Sequence, residues 1–503
     1  MEMESRRREL ARKRRNRERQ LRRRILAGGL VCSALFLGAG VWTGRQWRKD
    51  ASLDGDGSIT GDPVTVDRGE SEAAGITDAA EIVSRETAVD GSQEKTVVFV
   101  CEDDLPVRFD LREQGTAPTV PDQGTFGTCW AFASLGALES SMPKEYRTNL
   151  SADHMSLRNS FGLDQNAGGD YSVSSAYLLG WQGPVAEVSD PYGDGYSPED
   201  LEPVCHVQEI QVLKEKDYEA IKRAVYETGG VQSSFYMPQT EGAERDRYYN
   251  EETQAFYYDG SLEANHDVVI VGWEDSYPKE NFVIEPEKDG AFLCMNTWGE
   301  SFGDRGYFYI SYEDSRIGTA NVLYTGIESA DNYDRICQTD LCGWTGQLGY
   351  GSSKAWFANV YEAAEDSLLA AVGFYVTVPE TSYKVYVTAC GAERVLAAEG
   401  RFDNAGYYTV TLDGADEQAD GSELEEAVKL TAGETFAVIV ELDSPGTTEP
   451  VAVEYAAGER TANVDISDGE GYVSPDGENW QRTETELQCN VCLKAYLRYL
   501  ETP

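Results

Sequence analysis

The chain has 503 residues, with 43 Lys and Arg against 88 Asp and Glu, so its formal net charge at pH 7 is −45. Hydrophobic residues make up 41% of the chain and aromatic residues 11%, which excludes a disordered acidic polymer and allows about two to four domains. A strongly negative surface repels a phosphate backbone, so the composition also argues against nucleic-acid binding. The charge is uneven, because residues 1–24 contain twelve Lys and Arg and only four Glu.

An uncharged apolar run follows this basic arm, and it reads ILAGGLVCSALFLGAGVW at residues 25–42. Because an apolar helix of about 20 residues spans a bilayer core, we predict a transmembrane signal anchor at 25–43. The positive-inside rule then places residues 1–24 in the cytoplasm and the rest of the chain outside the cell. A cleaved signal peptide is the alternative, since residues 37–40 are mostly small, and cleavage there would give a secreted protein.

Residues 44–103 are acidic and rich in Gly, Ser, Thr and Ala, without a sustained apolar period. This composition predicts a solvated linker or a short pro-segment. Residues 54–58 resemble the start of a calcium loop. However, Ile59 and Thr65 occupy the positions where such a loop needs Gly and Glu, so a turn is the better interpretation.

The first segment that indicates chemistry surrounds Cys129, which follows a turn rich in Gly and Thr. A helix is predicted directly after it, because apolar residues recur with helical spacing at Trp130, Leu135, Leu138 and Met142. The positive end of a helix dipole lowers a thiol pKa and favours the nucleophilic thiolate. Gln123 lies on the same turn, where its amide is predicted to stabilise a developing oxyanion alongside the Cys129 backbone N–H.

A thiolate nucleophile needs a general base, and the chain has only three histidines. His154 lies in a helix-start pattern and His206 in a polar stretch that reads as a turn. His266 begins a run that predicts a buried strand, where a histidine is usually a packed core residue. Asn296 follows thirty residues later, and its amide is predicted to hold the imidazole toward the thiol, with Trp298 covering that bond.

Together these segments resemble the papain family of cysteine peptidases, in the order of that family. The resemblance is carried by FDLR at 109–112, GTFGTCWAF at 124–132, NHDVVIVGW at 265–273 and NTWGESFGDRGYFYI at 296–310. It covers residues 104–328 and implies a two-lobed α+β fold.

Carried over position by position, the resemblance implies that Cys129 is the nucleophile and His266 the general base and acid. Asn296 would orient the imidazole, and Gln123 would complete the oxyanion hole. Gly168 and Gly169 match paired glycines that let a substrate backbone approach, and Trp298 completes the predicted substrate-binding residues.

Three features depart from the family pattern. Phe126 stands where the family usually has a second cysteine, so the disulfide that normally braces the nucleophile turn is absent. The usual Asn-Gly-Gly run is stretched over residues 166–169. An insertion at residues 276–290 separates the histidine strand from Asn296, and we predict that it forms a surface hairpin.

The last third of the chain, residues 333–500, contains short alternating runs punctuated by Gly, Asp and Pro, which predict an antiparallel β-sandwich. Residues 356–376 and 471–480 resemble the lectin-like domain found behind bacterial papain-type peptidases. That resemblance implies a glycan, surface-polymer or protein ligand. A sandwich that only packs on the peptidase is the alternative.

Eight of the ten cysteines have no assigned role, and an external location predicts disulfides among them or a mixture with free thiols. The spacing of Cys337, Cys342, Cys489 and Cys492 also suits zinc, but no histidine lies nearby in the sequence, which disfavours that site.

The sequence therefore predicts a papain-like cysteine endopeptidase, tethered to the outer face of a membrane and followed by a β-sandwich. Its substrate would be a peptide or protein, cleaved through a thioester without a metal or organic cofactor. Two alternatives stay open. One is a Cys–His amidase acting on cell-wall peptides, and the other is a non-catalytic surface adhesin that uses the β-sandwich.

Overall fold

The structure is a computed structural model that describes four stretches of the chain: residues 105–238, 244–412, 428–467 and 469–500. The predicted basic arm, signal anchor and linker lie outside the described residues. Within the described stretches, none of the helices has the length and apolar character needed to cross a bilayer, and the longest has 13 residues.

The described residues form five α-helices, all in the first half of the chain: α1 (Leu111–Gln114), α2 (Cys129–Ser141), α3 (Ala152–Arg158), α4 (Tyr171–Leu179) and α5 (Tyr218–Glu227). Every helix except α2 begins after a side chain whose oxygen accepts a backbone N–H of the first turn: Asp110, Ser151, Asp170 and Asp217. Helix α2 is the helix predicted after Cys129. It is buried on almost every side, so it forms the centre of its lobe.

The peptidase region also contributes nine strands: β1 (Arg108–Asp110), β2 (His206–Leu213), β3 (Val231–Phe235), β4 (Tyr249–Asn250), β5 (Ala255–Phe256), β6 (His266–Glu274), β7 (Ala291–Met295), β8 (Tyr307–Ser311) and β9 (Asn321–Glu328). Strand β6 lies between β3 and β7, antiparallel to both. Helix α2 packs on β6 and β9, so the element that carries Cys129 lies against the strand that begins with His266.

Two local predictions in this region are wrong. The stretch around His206 is a strand rather than a turn, because its alternating residues pair with β9 and bury the imidazole. The insertion at 276–290 is not a hairpin. It contains a short 3-10 helix, and Tyr277 and Phe282 hold it down by packing against Ala255 and Ala291.

The described part of the C-terminal region contributes fourteen strands: β10 (Arg335–Cys337), β11 (Gly346–Leu348), β12 (Lys354–Glu362), β13 (Ser367–Val376), β14 (Thr381–Ala389), β15 (Val395–Phe402), β16 (Ala405–Thr411), β17 (Lys429–Leu430), β18 (Thr435–Asp443), β19 (Val451–Glu454), β20 (Gly471–Ser474), β21 (Gln481–Arg482), β22 (Asn490–Val491) and β23 (Leu493–Tyr499). All their pairings are antiparallel. Apolar side chains of β12 and β18 face those of β13 and β23 across one core, as expected for a sandwich.

The two regions share a sheet, which the sequence did not predict. Strand β16 of the C-terminal region pairs with β2 of the peptidase region, from Ala405 opposite Val212 to Tyr408 opposite Glu209. A single 14-stranded sheet therefore runs through both. Backbone hydrogen bonds thus join them, in addition to side-chain packing.

All eight cysteines within the described stretches have free thiols, so the predicted disulfides are not present among them. Most of these thiols are buried, and Cys390 is exposed. No group of three or more His, Cys, Asp or Glu side chains in the described part of the chain is arranged to hold a metal ion.

Candidate active site

A cleft with a volume of about 710 Å³ opens where α2 meets the strands of the second lobe. The cleft brings together residues from five separate segments of the chain. Six of the seven site residues predicted from the sequence line this cleft: Gln123, Cys129, Gly168, Gly169, His266 and Trp298. The seventh, Asn296, is buried and hydrogen-bonded to His266.

His266 and Asn296 form a hydrogen-bonded pair at the base of this cleft. The His266 Nε2 atom lies 2.8 Å from Asn296 Oδ1, and both residues are buried. Since Asn296 Oδ1 also accepts the Thr297 backbone N–H at 2.8 Å, this oxygen faces the ring and Nε2 is the protonated nitrogen. That leaves Nδ1 as the nitrogen able to accept a proton. The Trp298 ring lies 4.8 Å from the imidazole and shields the pair.

Thr297 connects this pair to the predicted oxyanion donor. Its hydroxyl donates to Gln123 Oε1 at 2.5 Å, and its carbonyl accepts the Gln123 backbone N–H at 2.8 Å. The orientation of the Gln123 amide is thereby set. Its Nε2 donates one hydrogen to the Phe126 carbonyl at 2.7 Å, which leaves the second hydrogen for the cleft.

The nucleophile turn is held without a disulfide. The Tyr192 hydroxyl donates to the Gln123 carbonyl at 2.9 Å and lies 2.6 Å from Thr128 Oγ1, one residue before Cys129. On its other side the Gly127 N–H donates to the Gln165 carbonyl at 3.1 Å. Tyrosine and backbone hydrogen bonds thus brace the turn in which Phe126 replaces a cysteine.

Burial acts on the thiol in the direction opposite to the helix dipole. Burial raises the pKa of Cys129 to about 12, and the nearby Asp267 carboxylate adds to this shift. Burial also lowers the pKa of His266 to about 4. Removal of both groups from water thus disfavours their charged forms and opposes the effect of the α2 dipole on the thiol.

Asp267 is a buried acid that the sequence analysis missed. Its carboxylate accepts hydrogen bonds from Gln232 Nε2 at 2.9 Å and Ser234 Oγ at 2.6 Å, and burial raises its pKa to about 6. The available signal was the acidic residue directly after His266 in an otherwise apolar strand. Thr297 was detectable in the same way, as the polar neighbour of Asn296.

Gly168 and Gly169 line the same cleft as His266. Gly168 has a φ of +74°, which favours glycine. A Cβ on Gly169 would lie 2.5 Å from the Trp130 ring, so only glycine fits there without displacing the nucleophile helix. Because neither residue has a side chain, their backbone atoms line the cleft together with Cys129.

Comparison with protein families agrees with this geometry. A model of the papain family of cysteine proteases matches residues 105–327. Residues 105–327 are a papain-family peptidase domain. A model of the lectin-like domain matches residues 336–497, directly after it.

Among curated proteins, papain-family relatives include cathepsins of about one quarter identity. Cathepsin K of Mus musculus is 28% identical over 213 residues, which is 40% of this chain and 59% of that protein. Cathepsin S of Bos taurus is 28% identical over 234 residues, which is 43% of this chain and 63% of that protein. The chain thus spans less than two thirds of the length of these relatives.

Among solved structures, the clostridial cysteine protease Cwp84 after propeptide cleavage has a TM-score of 0.66, covering 78% of this chain and 99% of that chain. The cysteine protease and lectin-like domains of Cwp84, a surface layer associated protein of Clostridium difficile, give a TM-score of 0.65, covering 79% and 89%. Both are 24% identical to this chain, so they establish a shared fold for the two-domain arrangement.

Proposed function

We propose that the protein is a thiol peptidase that hydrolyses peptide bonds through a thioester at Cys129. The observation that carries this proposal is the convergence of Cys129 and the His266–Asn296 pair on one cleft, with the Gln123 amide beside them. The papain-family domain supports the same reaction class.

In the first half of the reaction, the Cys129 sulfur attacks the peptide carbonyl carbon while its proton passes to His266 Nδ1. The carbonyl oxygen takes up the displaced electron pair and accepts hydrogen bonds from Gln123 Nε2 and the Cys129 backbone N–H. When the tetrahedral intermediate collapses, the C–N bond breaks and His266 returns its proton to the leaving amine. The acyl group remains on sulfur as a thioester.

In the second half, water attacks the thioester carbonyl and gives a proton to His266 Nδ1. The C–S bond then breaks, the carboxylic acid leaves, and the proton returns to the sulfur. Asn296 keeps the imidazole in the required tautomer through both halves, because its Oδ1 holds the proton on Nε2.

The decisive experiment replaces Cys129 with Ala and measures cleavage of a mixed peptide library. We expect turnover to disappear, together with labelling by a thiol-directed epoxide. Because Cys390 is an exposed thiol, the matched control is Cys390→Ala, which should retain both activity and labelling. Persistent cleavage by Cys129→Ala would exclude the mechanism.

The same assay separates the alternative functions. Release of cross-linked cell-wall peptides without cleavage of the library would indicate the Cys–His amidase. If the wild-type protein neither cleaves nor reacts with the epoxide under reducing conditions, it is a non-catalytic surface protein.

We also propose that the enzyme is tethered by residues 25–43 to the outer face of the cell membrane, with residues 1–24 in the cytoplasm. The support is the apolar run and its basic flank. Sequencing the N-terminus of the native protein tests this proposal. A start after residue 37 would instead indicate a cleaved signal peptide.

The lectin-like domain supports a further partner, a glycan or surface polymer bound by residues 333–500. Retention of the Cys129→Ala protein on purified cell-surface polysaccharide tests this. Equal retention on an uncharged matrix would contradict it.

A further inference from the structure

A loop of the lectin-like domain, residues 455–467, packs against the peptidase next to the cleft. The Gly162 N–H donates to the Arg460 carbonyl at 3.0 Å, and Asn463 Nδ2 donates to the Ser160 carbonyl at 3.1 Å. A Cβ on Gly162 would lie 2.7 Å from the Glu459 carbonyl oxygen. The two backbones are therefore in direct contact, and only a glycine allows this approach.

Arg460 extends from this loop to the start of helix α4. Its Nη2 lies 2.6 Å from Asp170 Oδ2 and 2.9 Å from Ser172 Oγ, and its guanidinium lies over the Phe161 ring. The Arg460 and Asp170 side chains are 39% and 47% exposed. Ion pairs with this exposure contribute little to stability. The consequence of the contact is therefore to fix the position of Asp170.

Asp170 directly follows Gly168 and Gly169 in the chain. Its second oxygen, Oδ1, accepts the Ser172 backbone N–H at 2.9 Å and caps α4. One carboxylate oxygen therefore binds Arg460 and the other caps the helix. On the opposite side, Gly169 rests on the Trp130 ring and Gln165 accepts the Gly127 N–H. The segment 165–170 is thus held between the nucleophile helix and the lectin-like domain.

We propose that Arg460 is a positioning residue for substrate binding, so that the lectin-like domain forms part of the support of the cleft. By holding Asp170, Arg460 would keep the backbone of Gly168 and Gly169 in the position that a peptide substrate contacts. This inference rests on the proposed peptidase function. The side-chain contacts of Arg460 are with Asp170, Ser172 and Phe161, and none of these residues is a proposed reacting group. Its loss should therefore weaken binding of extended peptides and leave the chemical step unchanged.

The test compares two substrates with the purified full-length protein. One is a peptide that extends several residues to either side of the cleaved bond. The other is an activated ester of a single acylated amino acid, which reaches the thiol without filling the cleft. For Arg460→Ala we expect KM for the long peptide to rise roughly two- to fivefold, the range that corresponds to the loss of one partly exposed ion pair. The kcat for the peptide and kcat/KM for the ester should stay at wild-type values.

Asp170→Asn provides a second variant, because asparagine retains the helix cap and removes the charge that pairs with Arg460. It should reproduce the rise in KM, and combining it with Arg460→Ala should add nothing further. Arg460→Lys should restore part of the affinity. The matched control is Arg482→Ala, whose guanidinium lies over Tyr472 within the lectin-like domain and which should leave KM unchanged.

Unchanged KM in both Arg460→Ala and Asp170→Asn would overturn the inference, as would a fall in kcat without a rise in KM. Failure of the proposed function gives a different result, in which the wild type cleaves no peptide or Cys129→Ala cleaves as well as the wild type. Thermal unfolding of each variant, expected at the wild-type midpoint, separates loss of positioning from loss of fold.

Discussion

His206 and His266 lie in two clusters of very similar composition. Each histidine begins a strand, is buried, and lies within 2.8 Å of an asparagine side-chain oxygen, from Asn332 or Asn296. Each also lies against a tryptophan ring, with Trp181 at 4.0 Å from His206 and Trp298 at 4.8 Å from His266.

The two clusters differ in the thiol beside them. Cys205 precedes His206 in the chain and is fully buried in the core, whereas Cys129 comes from a separate helix and lines the cleft with His266. A buried histidine that pairs with an asparagine beside a tryptophan ring therefore occurs both at the cleft and away from it. We infer that it becomes catalytic only where another element presents an accessible thiol and space for a substrate.

The sharpest test of this comparison replaces each histidine with Ala. We expect His266→Ala to lower kcat by roughly two to four orders of magnitude, the usual contribution of a general acid–base group. His206→Ala should unfold more readily but turn over at the wild-type rate per folded molecule. Steady-state kinetics normalised to the concentration of folded protein, measured by circular dichroism, tests both expectations. A similar loss of kcat in the two variants would contradict the distinction.

A second test uses acid stability, where the two clusters should behave alike. Burial lowers the pKa of His266 to about 4 and lowers that of His206 as well, so folding favours both neutral rings. Each histidine therefore contributes to the free energy of unfolding above its ordinary pKa of about 6.5. That contribution is lost as the pH falls through the lower pKa of the folded state.

His266→Gln should therefore lose less stability than the wild type between pH 7 and pH 4, by about 3 kcal/mol. His206→Gln should change the pH dependence in the same direction. Urea unfolding at each pH measures the effect. Parallel curves for wild type and His266→Gln would show that the ring is not held neutral in the fold.

The third test compares kcat after replacement of each asparagine and has the smallest expected effect. Asn296→Ala removes the acceptor that orients the catalytic ring, and misplacement of a reacting group costs roughly 100-fold in kcat. Asn332→Ala removes the matching acceptor at His206 and should leave kcat unchanged. Measuring kcat for both variants at one temperature makes the comparison. Wild-type turnover by Asn296→Ala would mean that the imidazole is oriented by its packing alone.

Much of the peptidase could be predicted because its signals are local. Helix α2, strand β6 and the alternating strands of the C-terminal region each follow from residues that are neighbours in the sequence. Predictions failed where packing overrode local pattern. The polar residues around His206 suggested a turn, but pairing with β9 makes them a buried strand. The insertion is held down by Tyr277 and Phe282 instead of closing as a hairpin.

The segments around Cys129, His266 and Asn296 were enough to predict the reaction class and its principal side chains, through their resemblance to the papain family. The tertiary structure decided what depends on residues that are far apart in the chain. Those features are the burial of the thiol and the imidazole, the Thr297 bonds to Gln123, and the contact of Arg460 with Asp170. Desolvation and hydrogen-bond geometry are properties of the folded environment, and a sequence pattern does not contain them.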